Sequence, residues 1–263
     1  MEGIAGLVDS SQMSSTGRDY SLGRKLMTEE ANAAIRAALG AGASEVVIND
    51  SHGSQTNLLP DEVDPRASLI TGSPKPFGMM QGIDATFNAV IFVGYHAQAS
   101  TTDAVHDHTY NGQLKAVRLN GREVGEYGLN AALAGHFGVP VVFVSGDRAL
   151  SEQAKRFIPG AEVLAVKEGI GQTAARTLHP NEARQRIAAG VKAGLERRGE
   201  IQPVKLTQPV TIEIELASSS QADSAMMVPG MKRLSGRVVS YAAPDMTVAY
   251  TISRLVARLS TSN

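Results

Sequence analysis

Residues 89–93, AVIFV, end abruptly in Gly94-Tyr95-His96, and no other stretch constrains the fold as much. An unbroken apolar run of this length reads as a strand buried on both faces, the form strands take where crossover helices cover both sides of a parallel sheet. Open sheets of that kind bind ligands just beyond the C-terminal ends of their strands. Polar chemistry begins there at once. His96, His106 and His108, three of the six histidines in the 263-residue chain, follow within a few residues, with Asp107 between the last two.

The rest of the first 200 residues repeats the pattern. Residues 45–49 (EVVIN) and 139–144 (VPVVFV) are short apolar strands that end in Asp50-Ser51-His52 and Ser145-Gly146-Asp147, and residues 162–166 are strand-like. Helical periodicity covers residues 20–39, 129–137, 151–157 and 181–198. A connection carrying Pro60, Pro65, Pro74 and Pro76 reads as loop. Residues 115–119 and 122–124 flank Asn120-Gly121, the pair that tolerates the two left-handed positions of a type I′ hairpin turn, and Glu126 follows closely. The expectation is an α/β fold, a mainly parallel sheet flanked by helices, forming a metal-binding catalytic domain over residues 1–200.

Beyond a proline-bracketed connector at 202–209 the texture changes. Residues 210–216, VTIEIEL, alternate with period two, as a half-solvated antiparallel strand does. A helix at 222–227, a strand at 237–241 and a closing helix bearing Val248, Ile252, Leu255 and Leu259 complete a smaller α+β unit over residues 201–263. Met226, Met227, Val228 and Met231 read as exposed apolar residues suited to a subunit contact.

Composition removes several classes of function. There is no cysteine, so any metal must be held by imidazole and carboxylate. Net charge is −1 and no basic block exceeds two residues, which argues against nucleic acid as a partner. No apolar run has the length of a membrane span, and the first residues lack the basic start and apolar core of a secretory signal, so the expected location is cytoplasmic. A small ligand is the partner that remains.

At strand ends and turns stand Glu2, His52, His96, His108 and Glu126. Two carboxylates and two imidazoles, with a third imidazole spare, are the inventory of a Zn²⁺ or Mn²⁺ site, binuclear and used to activate water. No local motif such as H-E-x-x-H fixes their spacing, and dispersed polar residues at loop starts often do no more than cap a turn. His106 and His108 are equivalent by chemistry alone. His136 and His179 carry no motif and read as surface or helix-end residues.

Six segments, MEGIAG, GRKLMTEEAN, VINDSHG, KPFGMMQGIDATFNAVIFVGYHAQAS, DHTY and VGEYGLNAALAG followed by VPVVFVSGD, resemble the M55 family of metallopeptidases, which are D-aminopeptidases. They run in order through about the first 150 residues. The resemblance implies two zinc ions per subunit, with Glu2, His52, His96 and Glu126 as ligands, and it assigns the catalytic role to His108 rather than His106. It implies a small peptide or amide substrate with a D-residue first, and a ring-shaped homo-oligomer, expected to be a decamer.

One family ligand has no counterpart. An Asp that bridges both metals stands two residues before the family's Glu, at the end of a first strand, whereas Glu2 is already the second residue here. The expectation is a strand upstream of Met1 ending in Val-Asp-x-Glu-Gly, or else a site assembled without it. Competing readings are a metal-dependent hydrolase of L-amino amides or amino-acid lactams, a non-catalytic ring-forming protein, and a dinuclear phosphoesterase. The last would favour basic residues beside the motifs, where few occur.

Overall fold

The computed structural model describes residues 1–261. After a turn-rich start, α1 (Tyr20–Gly40) leads into β1 (Val46–Asn49), β2 (Ala67–Ile70) and β3 (Val90–Tyr95). Then come the hairpin β4 (Leu114–Leu119) and β5 (Arg122–Glu123), α2 (Glu126–His136), β6 (Val141–Asp147), α3 (Arg148–Phe157), β7 (Glu162–Gly171), β8 (Ala174–Thr177) and α4 (Pro180–Glu196). The chain closes with β9 (Val210–Leu216), α5 (Ser219–Ala225), β10 (Lys232–Arg233), β11 (Val238–Ala243) and α6 (Met246–Leu259).

The α/β class holds, and its parallel strands fall into two sheets. β3, β6 and β7 run parallel in a four-stranded sheet of order β3-β6-β7-β8, which β8 closes antiparallel, while β1 and β2 form a separate parallel pair. An antiparallel sheet of order β10-β11-β9-β4-β5 makes the other layer. It draws β4 and β5 from the first 200 residues, so residues after 200 do not build it alone. In β9 the predicted alternation is observed: Val210, Ile212, Ile214 and Leu216 are buried, and the residues between them are half-buried. Each isoleucine buried here stabilises the fold by roughly 1.5–3 kcal/mol. The β4–β5 turn has φ of 48° at Asn120 and 79° at Gly121, the left-handed pair the sequence calls for.

Three local expectations are corrected. The proline-bearing connection contains β2, a parallel partner that pairs Val46 with Ala67 and Asn49 with Ile70. α2 starts at Glu126 rather than near Leu129, because the backbone can enter the helix at Gly125 and Gly128 only where side chains are absent. A Cβ on Gly125 would lie 2.9 Å from Gln98 Cβ, and one on Gly128 would lie 2.7 Å from Val124 Cβ. Val228 and Met231 are buried against the core; Met226 and Met227 alone of that group are exposed.

β3 also departs from its sequence reading. Phe92 and Gly94 are buried, but Val90, Ile91, Val93 and Tyr95 are only half-buried. The reason lies at its free edge. β6 pairs along one side of β3; on the other, Gly3 N donates to Gly94 O (3.1 Å), while the inner edge of β1 lies across a slot. Neighbouring strands sit about 4.8 Å apart, too close to leave a cavity, so β1 and β3 are not neighbours. The slot is lined by Val47 and Ile48 of β1, Ile91 and Val93 of β3 and Ala34 and Ala38 of α1, and it belongs to a cavity of about 920 Å³ that continues to the strand ends.

Candidate metal centre

Five segments converge on this cavity at the strand ends. Residues 1–7 bring Glu2, the turn after β1 brings His52, the end of β3 brings His96, and the loop from 97 to 113 brings His108 to the first turn of α2, where Glu126 sits. The loop is held in a demanding shape. Ser100, Asp103, His106 and Tyr110 all have positive φ, between 47° and 65°, a region that costs a non-glycine residue about 1 kcal/mol or more. Three anchors offset that cost: buried Asp147 at the end of β6 accepts from Val105 N (2.9 Å), buried Glu126 Oε1 accepts from Tyr110 N (2.7 Å), and the main-chain oxygen of exposed Gln172 accepts from His106 N (3.0 Å). Glu126 at the N-terminus of α2 also has its charge favoured by the helix dipole.

The imidazoles share one arrangement. His96 Nδ1 lies 3.0 Å from Ala97 O, His108 Nδ1 lies 2.8 Å from His106 O, and His52 Nε2 lies 2.8 Å from Met13 O. A carbonyl oxygen only accepts, so each of these nitrogens carries a hydrogen and the other nitrogen of each ring turns to a carboxylate. His96 Nε2 is 3.5 Å from Glu126 Oε2, His108 Nε2 is 3.6 Å from Glu126 Oε1, and His52 Nδ1 is 3.1 Å from Glu2 Oε1. In a neutral ring that nitrogen is a lone pair, and a lone pair facing a carboxylate needs a cation between them. A main-chain carbonyl fixing the tautomer behind each ring is how metal-binding histidines are usually oriented.

The donors of His96, His108 and Glu126 lie within 4.8 Å of one another and can close on one ion. Glu2 with His52 forms a second pair beside them. The rings of His96 and His108 stack at 4.0 Å. These residues fit Zn²⁺: buried imidazole and carboxylate donors, with no thiolate in the chain. Burial on its own would lower the pKa of His96, but Glu126 and Glu2 outweigh it and hold the ring up at about 9. Burial pushes the Glu126 carboxyl up, and His96, His108 and the Tyr110 amide pull it further the other way, to about 2. For His108 burial and the neighbouring His96 act together and lower the pKa.

Other candidate carboxylates are already engaged. Asp50 accepts from Leu58 N (2.6 Å) and from Asn57 Nδ2 (2.8 Å), and Asp107 accepts from Thr101 N and Gln172 Nε2, both at 3.2 Å. His106 orients its neighbours: its carbonyl accepts from His108 Nδ1–H and its Nε2 donates to Val8 O (3.0 Å). His136 ends α2 at the surface, and His179 caps α4 by accepting from Asn181 N.

A family model for D-aminopeptidases, peptidase family M55, matches residues 1–255. The chain belongs to that family. A curated relative, the D-aminopeptidase of Bacillus subtilis (strain 168), is 39% identical over 251 residues, 95% of this chain and 91% of its own length. The solved structure of the Zn-dependent D-aminopeptidase DppA from Bacillus subtilis, described as a self-compartmentalizing protease, superposes with a TM-score of 0.98 at 37% identity and covers 100% of this chain and 96% of that one. Among the described residues no helix is long and apolar enough to cross a membrane.

Two residues of the site's foundation escape sequence reading. Lys167 on β7 and Glu30 on α1 are 2% and 1% exposed, and both reach the loop that carries Glu2. A lysine in the run VLAVKEG and a glutamate on a helix are ordinary surface signals; the sequence marks neither as buried.

Proposed function

We propose that the protein is a zinc-dependent aminopeptidase of the cytoplasm that hydrolyses the N-terminal amide bond of short peptides or amides beginning with a D-residue, and that it works as a homo-oligomeric ring, a decamer. Support comes from membership of the M55 family and from likeness to relatives named for that activity and for zinc. The observation that carries the reading is the shared polarity of three imidazoles, each with one nitrogen spent on a main-chain carbonyl and the other facing Glu2 or Glu126.

Glu2, His52, His96 and Glu126 are the residues we assign to two zinc ions. Zinc bound there supplies Lewis acidity for a scissile carbonyl and a seat for the substrate's free amine. The chain's own part in the chemistry falls to His108. Its Nδ1–H is tied to His106 O, its Nε2 points into the site, and burial beside His96 keeps the ring neutral, the state in which Nε2 can take a proton from an attacking group or attack directly. The cavity gives an extended dipeptide a place beside that nitrogen. A second reading has its own observation: His108 lies within the same 4.8 Å cluster as His96 and Glu126, the position of a ligand.

The test is zinc removal and return. Chelated protein should not hydrolyse D-alanyl amides and should regain turnover with added zinc; turnover that survives chelation with no metal bound would refute the proposal.

A further inference from the structure

The seven-residue segment bearing Glu2 has almost no regular structure, yet its backbone is fastened at both ends and in the middle. Lys167 Nζ donates to Glu2 O (2.6 Å) and to Leu7 O, Glu30 Oε1 accepts from Ala5 N (2.8 Å), and Thr177 Oγ1 accepts from Gly6 N (2.9 Å). A buried ammonium and a buried carboxyl are expensive to desolvate unless each is paired. Here burial pulls the Lys167 pKa down to about 8 against the opposing pull of Glu30 and Asp147, and pushes that of Glu30 up to about 7 against the Ala5 amide and Lys167. The second oxygen of Glu30 is buried and has no hydrogen-bond partner. A fold that needed only to fill this space would place apolar side chains here at lower cost. What the pair achieves is directional. With its carbonyl turned down onto Lys167, residue 2 turns its side chain the other way, to His52 Nδ1.

We infer that Lys167 and Glu30 are positioning residues for one half of the metal centre, holding Glu2 against His52, while His96, His108 and Glu126 are assembled without them. The inference rests on the two-zinc reading above. Neither Lys167 nor Glu30 hydrogen-bonds to His96, His108 or Glu126 or to the atoms that hold them, Ala97 O, His106 O and Tyr110 N. Asp147, which neighbours Lys167 across β6 and β7 and anchors the His108 loop, spends its carboxylate on Val105 N and Leu150 N, bonds that do not involve the lysine. Removing the ammonium therefore releases the Glu2 and Leu7 carbonyls and lets the segment rotate, and zinc affinity falls at one site only.

Zinc titration of the wild-type chain and of Lys167→Met, followed by competition with a chelator, separates the outcomes. We expect two zinc ions per wild-type chain, with one bound about 10- to 100-fold more weakly in Lys167→Met and the other unchanged, the range usual when a group supporting a ligand is lost. Glu30→Gln keeps an acceptor for Ala5 N, removes the counter-charge and should give the same split more mildly; it carries the test if Lys167→Met does not fold. A merely structural role would weaken both sites together or neither. Folded variants with two wild-type affinities, or with both affinities reduced equally, overturn the inference. A wild-type chain that binds fewer than two zinc ions at saturation overturns the two-zinc reading, and the inference falls with it.

Discussion

His108 gives its Nδ1–H to the carbonyl of His106, 2.8 Å away, and so turns a bare Nε2 towards Glu126 at 3.6 Å. His96 likewise spends Nδ1 on Ala97 O and turns Nε2 to Glu126, but that nitrogen holds a proton in the metal-free protein, and its ring stacks on that of His108. Two neighbouring imidazoles with one geometry are nevertheless assigned different work, and substitution separates them.

His96→Ala should lower zinc content and turnover together, because it removes the most buried donor of the cluster. His108→Ala should abolish turnover, by roughly 10²-fold or more, with zinc retained. Zinc measured by atomic absorption on the same samples used for kinetics decides the matter. Equal loss of zinc in both variants would make His108 a ligand.

Protons compete with zinc for these donors, and the direction follows from the shifts. His96 is raised to about 9, so in the metal-free protein its charged form contributes stability fully below about pH 6.5, the unfolded value, and that contribution is lost as pH rises through 9. Glu126 is depressed to about 2; its contribution is present above about pH 4.3 and is lost as pH falls through 2. Zinc must displace the His96 proton, so affinity should rise about tenfold per pH unit between pH 7 and 9 for one proton released. Chelator competition at three pH values measures the slope, and a flat profile would exclude His96 as a ligand.

Much of this was legible in the sequence. The period-two alternation of residues 210–216 gave β9 with its bounds, and Asn120-Gly121 fixed the hairpin turn, because both signals are local. Glu2, His52, His96, His108 and Glu126 do meet in one cavity, although only the resemblance, not their spacing, singled them out. What escaped depends on partners distant in the chain. β2 hides between prolines and exists because β1 offers it a ladder, and α2 begins at Glu126 despite glycines that weaken helix propensity. Lys167 looks like a surface lysine until the 1–7 segment lies over it.

The slot between β1 and β3 leads to a prediction about an upstream strand. Gly3 pairs with Gly94 O, so chain entering Met1 from the slot would run parallel to β3, towards the strand ends. Adding about five apolar residues and an Asp directly before Met1 should protect the β1 and β3 amides from hydrogen exchange and raise Tm. The extension also removes the Met1 ammonium, which now donates to Glu2 Oε2 at 2.9 Å, and adds a carboxylate, so zinc per chain should rise towards two in any preparation that holds less. Unchanged exchange at residues 46–49 and 90–93 would show that the slot does not take a strand.

Met227, 78% exposed, and Met226 beside it are the apolar residues we place at a subunit contact. Light scattering at micromolar concentration should give a multiple of the single-chain mass, ten-fold for a decamer, and Met227→Glu should shift it downwards. A monomeric wild type would rule the assembly out.

The most direct test of the function is a side-by-side assay of one zinc-loaded sample on D-Ala-D-Ala, L-Ala-L-Ala, an L-amino amide and an amino-acid lactam, with released D-alanine measured stereospecifically. The account predicts hydrolysis of the D-dipeptide at least about 10²-fold faster in kcat/KM than of its L counterpart, since a site that places amine and carbonyl together rejects the inverted side chain. Faster turnover of the L-amino amide or the lactam, or no turnover of any substrate at full zinc occupancy, would contradict it.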